Sequence, residues 1–194
     1  MTRIGIFEGT FAPPHNGHVS AIRSFMEQMW LDFVYVIPLL IENETEADTA
    51  HRLMMCRLAF GDIEGVYVSD AGGKEPCDTA EILEELSRDD RRLFLLCGTD
   101  RMFELGTSHQ AEAIFRLSYP VYVRRERDAL IDGKIIQKIS DYQEKYGKVM
   151  RRIVTEPLEI SSRAVRERCK NGASVSELVP PMVEKYIGDN HLYV

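Results

Sequence analysis

Short apolar runs recur along the whole chain, each stopped by glycine, proline or a capping residue, with helix-like stretches between them. The runs are Arg3-Ile4-Gly5-Ile6-Phe7, Phe33 to Pro38, Val66 to Ser69, Arg92 to Cys97, Pro120 to Val123 and Arg152-Ile153-Val154. Asn16 is placed to cap a helix to about Met29, in which Val19, Ile22, Phe25, Met26 and Met29 recur at helical spacing. His51 to Phe60 reads as a second helix, and Asp78-Thr79-Ala80-Glu81 as a capping box opening a third, to about Ser87. A further helix falls within 130–146. Ser161 or Ser162 caps one that ends before Gly172, and Pro181 starts the last. Near-continuous apolar strands that alternate with helices predict an α/β fold, a parallel sheet covered on both faces. Residues 1–194 form one domain on this reading, with a C-terminal helical part from about 160 to 194. Ligands of such sheets bind beyond the carboxyl ends of the strands, so the turns after the first, fourth and last strands share one rim.

The turn after the first strand is the most informative segment. It reads Gly9-Thr10-Phe11-Ala12-Pro13-Pro14-His15-Asn16-Gly17-His18. Gly9 lets the backbone approach a ligand closely. The free N–H groups and positive dipole end at the helix start favour phosphate. His15 and His18, three apart, lie on one side of the first turn, and Gly17 between them leaves room for a bulky group. Two imidazoles there suit hydrogen bonding to a triphosphate whose charge rises during reaction. A zinc site is the poorer reading, because histidines at i and i+3 have no third ligand nearby. Ser161 and Ser162, with Arg166 one turn on, read as another anion site.

The net charge of −7 argues against non-specific nucleic-acid binding. It does not argue against a phosphate ligand, since salt screens charges beyond about 8 Å and local groups decide. No apolar run is long enough to span a membrane, and residues 1–30 carry too many polar interruptions for a signal peptide. Cys56, Cys77, Cys97 and Cys169 form no C-x-x-C pair, which fits a reduced cytoplasmic protein. Glu42 to Asp48 predicts an acidic, mobile loop. Trp30 reads as a core or groove residue, Met54 and Met55 as core filler, and His51 and His191 as surface residues. A homo-oligomer is compatible with the sequence.

Segment 9–18 resembles the G-G-T-F-D-P-x-H-x-G-H motif of the nicotinate-nucleotide adenylyltransferases, within the wider H-x-G-H nucleotidyltransferases. Ile160-Ser161-Ser162-Arg163-Ala164-Val165-Arg166 resembles the family's I-S-S-T-x-I-R, and Gly98-Thr99-Asp100 its G-A-D or G-Q-D. The tail from Leu178-Val179-Pro180-Pro181 to Leu192-Tyr193 is similar as well, so the resemblance spans almost the whole chain in the family order. It implies a Rossmann-like, doubly wound parallel sheet of the nucleotidyltransferase type with a C-terminal helical segment. It also implies transfer of the adenylyl group of ATP to nicotinate mononucleotide, giving the dinucleotide and pyrophosphate on the route to NAD. Mg²⁺ accompanies the triphosphate without a dedicated protein site. By position, His15 and His18 become the catalytic pair. Gly9, Thr10, Phe11, Gly17, Gly98, Asp100, Ser161, Ser162 and Arg166 become the ATP-binding residues. Thr79, Phe103 and Arg125 fall on the acceptor side.

Most departures from the family pattern fall on that acceptor side. Leu39 to Glu44 replaces P-P-H-K, Pro76 to Ile82 keeps only Thr79 of Y-T-x-x-T, and Leu105 to His109 lacks the Trp-Tyr pair. Arg124-Arg125-Glu126-Arg127 replaces K-R-P-G. On the phosphate side Glu8 stands for the first glycine, Ala12 for an aspartate and Arg163 for a threonine. Two other functions remain open at this point. One is a nucleotidyltransferase with a different mononucleotide or phosphopantetheine acceptor; the other is a non-catalytic nucleotide-binding protein.

Overall fold

The computed structural model describes residues 1–39, 45–69, 79–124, 129–155 and 160–194. Its apolar runs pair as one six-stranded sheet: β1 (Thr2–Gly9), β2 (Phe33–Pro38), β3 (Val66–Val68), β4 (Arg91–Gly98), β5 (Ser118–Val123) and β6 (Arg151–Ile153). The order is β3-β2-β1-β4-β5-β6 and every pairing is parallel. Because β1 neighbours both β2 and β4, the winding reverses beside it. Phe7 pairs with Val36 on one side and Leu96 on the other. A crevice opens at such a switch point, at the carboxyl ends of the strands.

Strand alternation divides the core. Phe7, Phe94, Leu96, Val121 and Val123 point to one face, covered by α1 (Asn16–Met29) and α2 (Glu46–Phe60). Ile4, Ile6, Leu93, Leu95 and Cys97 point to the other. That face is covered by α3 (Thr79–Leu86), α4 (Thr99–Leu105), α5 (Ala111–Leu117) and α6 (Asp132–Tyr146). A third cluster joins Met55 of α2 to Val165 of α7 (Ser162–Lys170) and to Val183 and Ile187 of α8 (Pro181–Asp189). The C-terminal helical part therefore packs on α2, beside the sheet.

Several boundaries differ from the sequence reading, each for a local reason. His15, not Asn16, is the N-cap of α1; its backbone is extended, and its N–H donates to His18 Nδ1 at 3.2 Å. Asn16 instead fastens the C-terminal segment, donating from its backbone to Leu178 O and from its side chain to Glu177 O. Helix α2 begins at Glu46, so the acidic stretch is largely helical where it is described; its residues 42–44 lie outside the described residues. Thr45 and Asp48 form a reciprocal capping box, with Asp48 N–H donating to Thr45 Oγ1 at 3.1 Å and Thr45 N–H to Asp48 Oδ2 at 3.2 Å. The Thr45 hydroxyl, which donates to Asp48 Oδ2 at 2.7 Å, and after it the Thr45 N–H hold the Asp48 carboxyl below its ordinary pKa. Helix α3 begins at Thr79, and Asp78 lies outside the described residues.

Trp30 is not a core residue. It closes α1 in the left-handed conformation, at φ 51°, and is 79% exposed, because the reversal carries its side chain off the buried stripe. His51 is half-buried against Tyr186, its Nδ1 2.9 Å from the tyrosine hydroxyl, so it ties α2 to α8. Met54 faces outward while Met55 is buried. Among the described residues no helix is long and apolar enough to cross a membrane.

Candidate active site

A pocket of about 410 Å³ opens at the switch point, within the range that holds small ligands. It is lined by Phe7, Glu8, Gly9, Thr10, Phe11 and His18 from β1 and the turn into α1. Gly98, Thr99, Asp100 and Arg101 come from the end of β4 and the start of α4, and Ser162, Arg163 and Arg166 from α7.

The loop of residues 9–18 is held from below by aromatic packing. Phe11 adopts φ 45° and is buried, its ring edge-on to Phe7 at 5.2 Å and to His18 at 5.0 Å. A side chain at Gly9 would place its Cβ 3.1 Å from the Phe11 ring, so glycine here lets the aromatic wedge sit under the loop. From α2, Arg52 is fully buried and its Nη1 donates to Thr10 O at 2.7 Å. A guanidinium thus fixes the loop's carbonyl.

His15 and His18 stack face to face, ring centroids 3.6 Å apart and planes 20° apart. Both are buried, at 1% and 7% exposed. The histidines are set in by the aromatic wedge on one side and each other on the other. Gly17 leaves room for His15 itself, whose Nδ1 would lie 3.0 Å from an added Cβ. Because His18 Nδ1 accepts the His15 N–H, the proton of the neutral His18 ring sits on Nε2. His18 reaches the pocket lining; His15 stands behind it.

Helix α7 closes the other wall. Ser161 caps it, its Oγ accepting the Ala164 N–H at 3.1 Å. Ser162 Oγ donates to Pro13 O at 2.8 Å, and Arg166 Nη1 to Ala12 O at 2.6 Å. The serine hydroxyl is therefore spent on clasping the loop, while the unpaired N–H groups that begin a helix face the rim. Among the described residues Arg166 forms no ion pair, whereas Arg163 pairs with Glu167 at 2.8 Å. The lining sets three arginines against two carboxylates, in a chain whose net charge is −7. The donor set of arginine, imidazole, hydroxyl and amide suits phosphate oxygens. No group of three or more His, Cys, Asp or Glu side chains converges as a metal site among the described residues.

The sequence-designated residues do not all meet. Gly9, Thr10, Phe11, His18, Gly98, Asp100, Ser162 and Arg166 share the pocket; His15, Gly17 and Ser161 are not in its lining, His15 stacking on His18, Gly17 lying against His15 and Ser161 capping α7. Thr79 and Phe103 are not in its lining. Thr79 is buried and donates its hydroxyl to Glu8 Oε2 at 2.7 Å, and Phe103 packs into the α3–α6 core. Arg125 lies outside the described residues. Sequence reasoning passed over Arg101 and Arg52. Arg101 carried no signal, since its partner Glu8 is 93 positions away. Arg52 carried one: it sits three and four residues before the buried Met55 and Cys56, on the inward stripe of α2.

The sequence profile of the cytidylyltransferase-like family matches residues 6–168. Over 202 residues, covering all of this chain and 99% of the relative, the chain is 30% identical to nicotinate-nucleotide adenylyltransferase of Bacillus subtilis. Over 208 residues covering both chains in full, it is also 30% identical to a probable nicotinate-nucleotide adenylyltransferase of Lachnoclostridium phytofermentans. In fold it is similar to the Plasmodium falciparum nicotinic acid mononucleotide adenylyltransferase complexed with NaAD, with a TM-score of 0.79 at 16% identity, over 100% of this chain and 98% of that one. With a match of this length on both counts, the chain belongs to the nicotinate-nucleotide adenylyltransferases of the cytidylyltransferase-like family.

Proposed function

We propose that this nucleotidyltransferase passes the adenylyl group of ATP to nicotinate mononucleotide, releasing pyrophosphate, as a step of NAD biosynthesis. One observation carries the reading. The loop before α1 and the first turn of α7, far apart in sequence, are clasped together around one pocket whose donors suit a polyphosphate. His18 Nε2, the α7 amides and Arg166 then grip the triphosphate. Gly98 and Asp100, from the end of β4 and the start of α4, take the ribose on this reading.

An oxygen of the acceptor phosphate attacks the α-phosphorus in line, the new P–O bond forming as the bond to pyrophosphate breaks. No side chain acts as nucleophile. Holding the two substrates in line supplies much of the rate, and His18 adds stabilisation as charge builds on the leaving pyrophosphate. Mg²⁺ would accompany the triphosphate without a dedicated protein site, as suits a lining that brings only Asp100 and the enclosed Glu8 as carboxylates. When bound it neutralises part of the phosphate charge. The free thiols of Cys56, Cys97 and Cys169 accord with a cytoplasmic setting.

The test is pyrophosphate release from ATP with nicotinate mononucleotide, nicotinamide mononucleotide and phosphopantetheine in parallel. Selective release with nicotinate mononucleotide is the expected result. Release only with another acceptor would change the substrate. ATP binding without release for any of them would leave a binding protein and overturn the reaction.

A further inference from the structure

The pocket has a second, differently built flank. Strand alternation sends Glu8 to the face opposite Phe7, towards α3 and α4, where its carboxylate is almost wholly enclosed. Each oxygen is engaged. Oε2 accepts the Thr79 hydroxyl at 2.7 Å, and Oε1 accepts from Arg101 Nη2 at 3.4 Å. The same Nη2 lies 3.4 Å from Thr79 Oγ1, so the three side chains form a closed cluster. The Glu8 side chain is 3% exposed and that of Arg101 36%, so of these two lining charges the cation is the more accessible.

Glu8 alone would repel phosphates from a pocket made to hold them. Paired with Arg101 it does not, and its lone pairs are used internally. What remains on offer is the rest of the guanidinium, whose five N–H donors form a planar fork matched to carboxylate or phosphate. The triphosphate donors, His18 and the first turn of α7, come from other elements of the same pocket. In-line transfer requires the incoming oxygen and the departing pyrophosphate to stand on opposite sides of the α-phosphorus. If α7 and His18 hold the pyrophosphate, the acceptor enters on the Arg101 side.

We propose that Arg101, held in place by Glu8 and Thr79, binds an anionic group of the acceptor nucleotide, its phosphate or its ring carboxylate. The proposal rests on the reaction assigned above. Arg101 is the contacting residue, and Glu8 is a positioning residue that acts through it. Glu8, in the place of a family glycine, thus belongs to a rebuilt acceptor side and does not block the donor side.

The experiment compares Arg101→Gln, Arg101→Lys, Glu8→Gln and the Glu8→Gln/Arg101→Gln double variant with the parent chain. Steady-state kinetics are run with nicotinate mononucleotide and with nicotinamide mononucleotide, which lacks the carboxylate, and each variant's melting temperature is checked. Arg101→Gln should raise the acceptor KM about 10- to 100-fold, the range for loss of a charged hydrogen bond, with the ATP KM within about twofold of the parent. Arg101→Lys should restore part of this. Glu8→Gln should shift the acceptor KM in the same direction, and the double variant should be no worse than Arg101→Gln alone, as expected when Glu8 works through Arg101. A rise confined to nicotinate mononucleotide assigns the contact to the carboxylate; an equal rise for both assigns it to the phosphate. An unchanged acceptor KM, or an ATP KM that rises as much, overturns the proposal. Calorimetric titration of nicotinate mononucleotide, which needs no turnover, separates the two failures. A parent chain that binds it more tightly than Arg101→Gln without turning over keeps this inference and removes the reaction. Equal binding removes the inference whatever the turnover.

Discussion

His15 and His18 have the same residue type and adjoining places, yet their surroundings give them different work. His18 meets the pocket, its Nδ1 accepting the His15 N–H; His15 caps α1 and stacks on His18. His18→Ala should lower kcat about 10²- to 10³-fold, the usual cost of losing one donor to developing charge. A near-parental rate in saturating ATP would dismiss that role. His15→Ala should also lower stability, by about 1–3 kcal/mol, because it empties a buried site at a helix cap; thermal melting of both variants checks the contrast. Arg52 poses the same question from beneath the loop. Arg52→Met keeps the apolar stem but abandons the Thr10 carbonyl. It should cost about 1.5–3 kcal/mol in denaturant unfolding and raise the ATP KM. The pattern H-x-G-H was legible because it encodes a local backbone event, a strand giving way to a helix start. Burial of the histidines was not, since it depends on Phe11 folding back under the loop at positive φ. Nor could any local pattern show that Glu8 would meet a cation supplied from α4.

Among the elements, the strands were the most legible, because a doubly covered parallel sheet needs runs apolar on both faces and little else in the chain offers them. The helices were read less evenly. Thr45-x-x-Asp48 is a capping box in plain view, but its acidic company, Glu42 to Asp48, reads as a solvated loop. Acids in a helix's first turn complement the dipole, which is why α2 starts there. Helix α5 was passed over because Ala111, Ile114 and Phe115 give it a single buried turn and its N-cap side chain makes no capping hydrogen bond. Helix α7 was found from its serines, and its role can be tested as a unit. Arg166→Ala should raise the ATP KM about tenfold with kcat less affected, and Arg166→Lys should restore little, since a lysine lacks the planar fork that reaches Ala12 O and a phosphate together. Unchanged ATP affinity in Arg166→Ala would remove α7 from the triphosphate site.

On the scale of the whole molecule, the doubly covered sheet seals its thiols. Burial pushes the pKa of Cys56 up to about 12, and that of Cys97 likewise to about 12 with help from the Glu8 carboxylate, against an ordinary 9.0. The native chain should therefore leave both unreactive towards a thiolate-seeking reagent at pH 8.5, and unfolding should release them; labelling followed by peptide mapping reads this. Below pH 9 these thiols cost nothing in either state. As the pH rises from 9 towards 12 the unfolded chain sheds those protons and the folded chain keeps them, so stability falls across that window. Rapid labelling of Cys97 in the folded protein would mean that the β4 core opens readily. The C-terminal part contributes at this scale too. Asn16 is fastened to Glu177 and Leu178, Ala12 to Arg166, and Pro13 to Ser162, contacts that reach across as many as 162 positions, from 16 to 178. Polypeptides are made from the N-terminus onward and their parts fold as they emerge. On the ribosome, then, the first strand and its glycine turn exist long before the residues that clasp them. A nascent chain can assemble β1 to β3 yet has no finished nucleotide cradle until the last helices leave the tunnel. A nucleotide held in this cradle therefore stabilises only a chain in which α7 has already met the loop before α1.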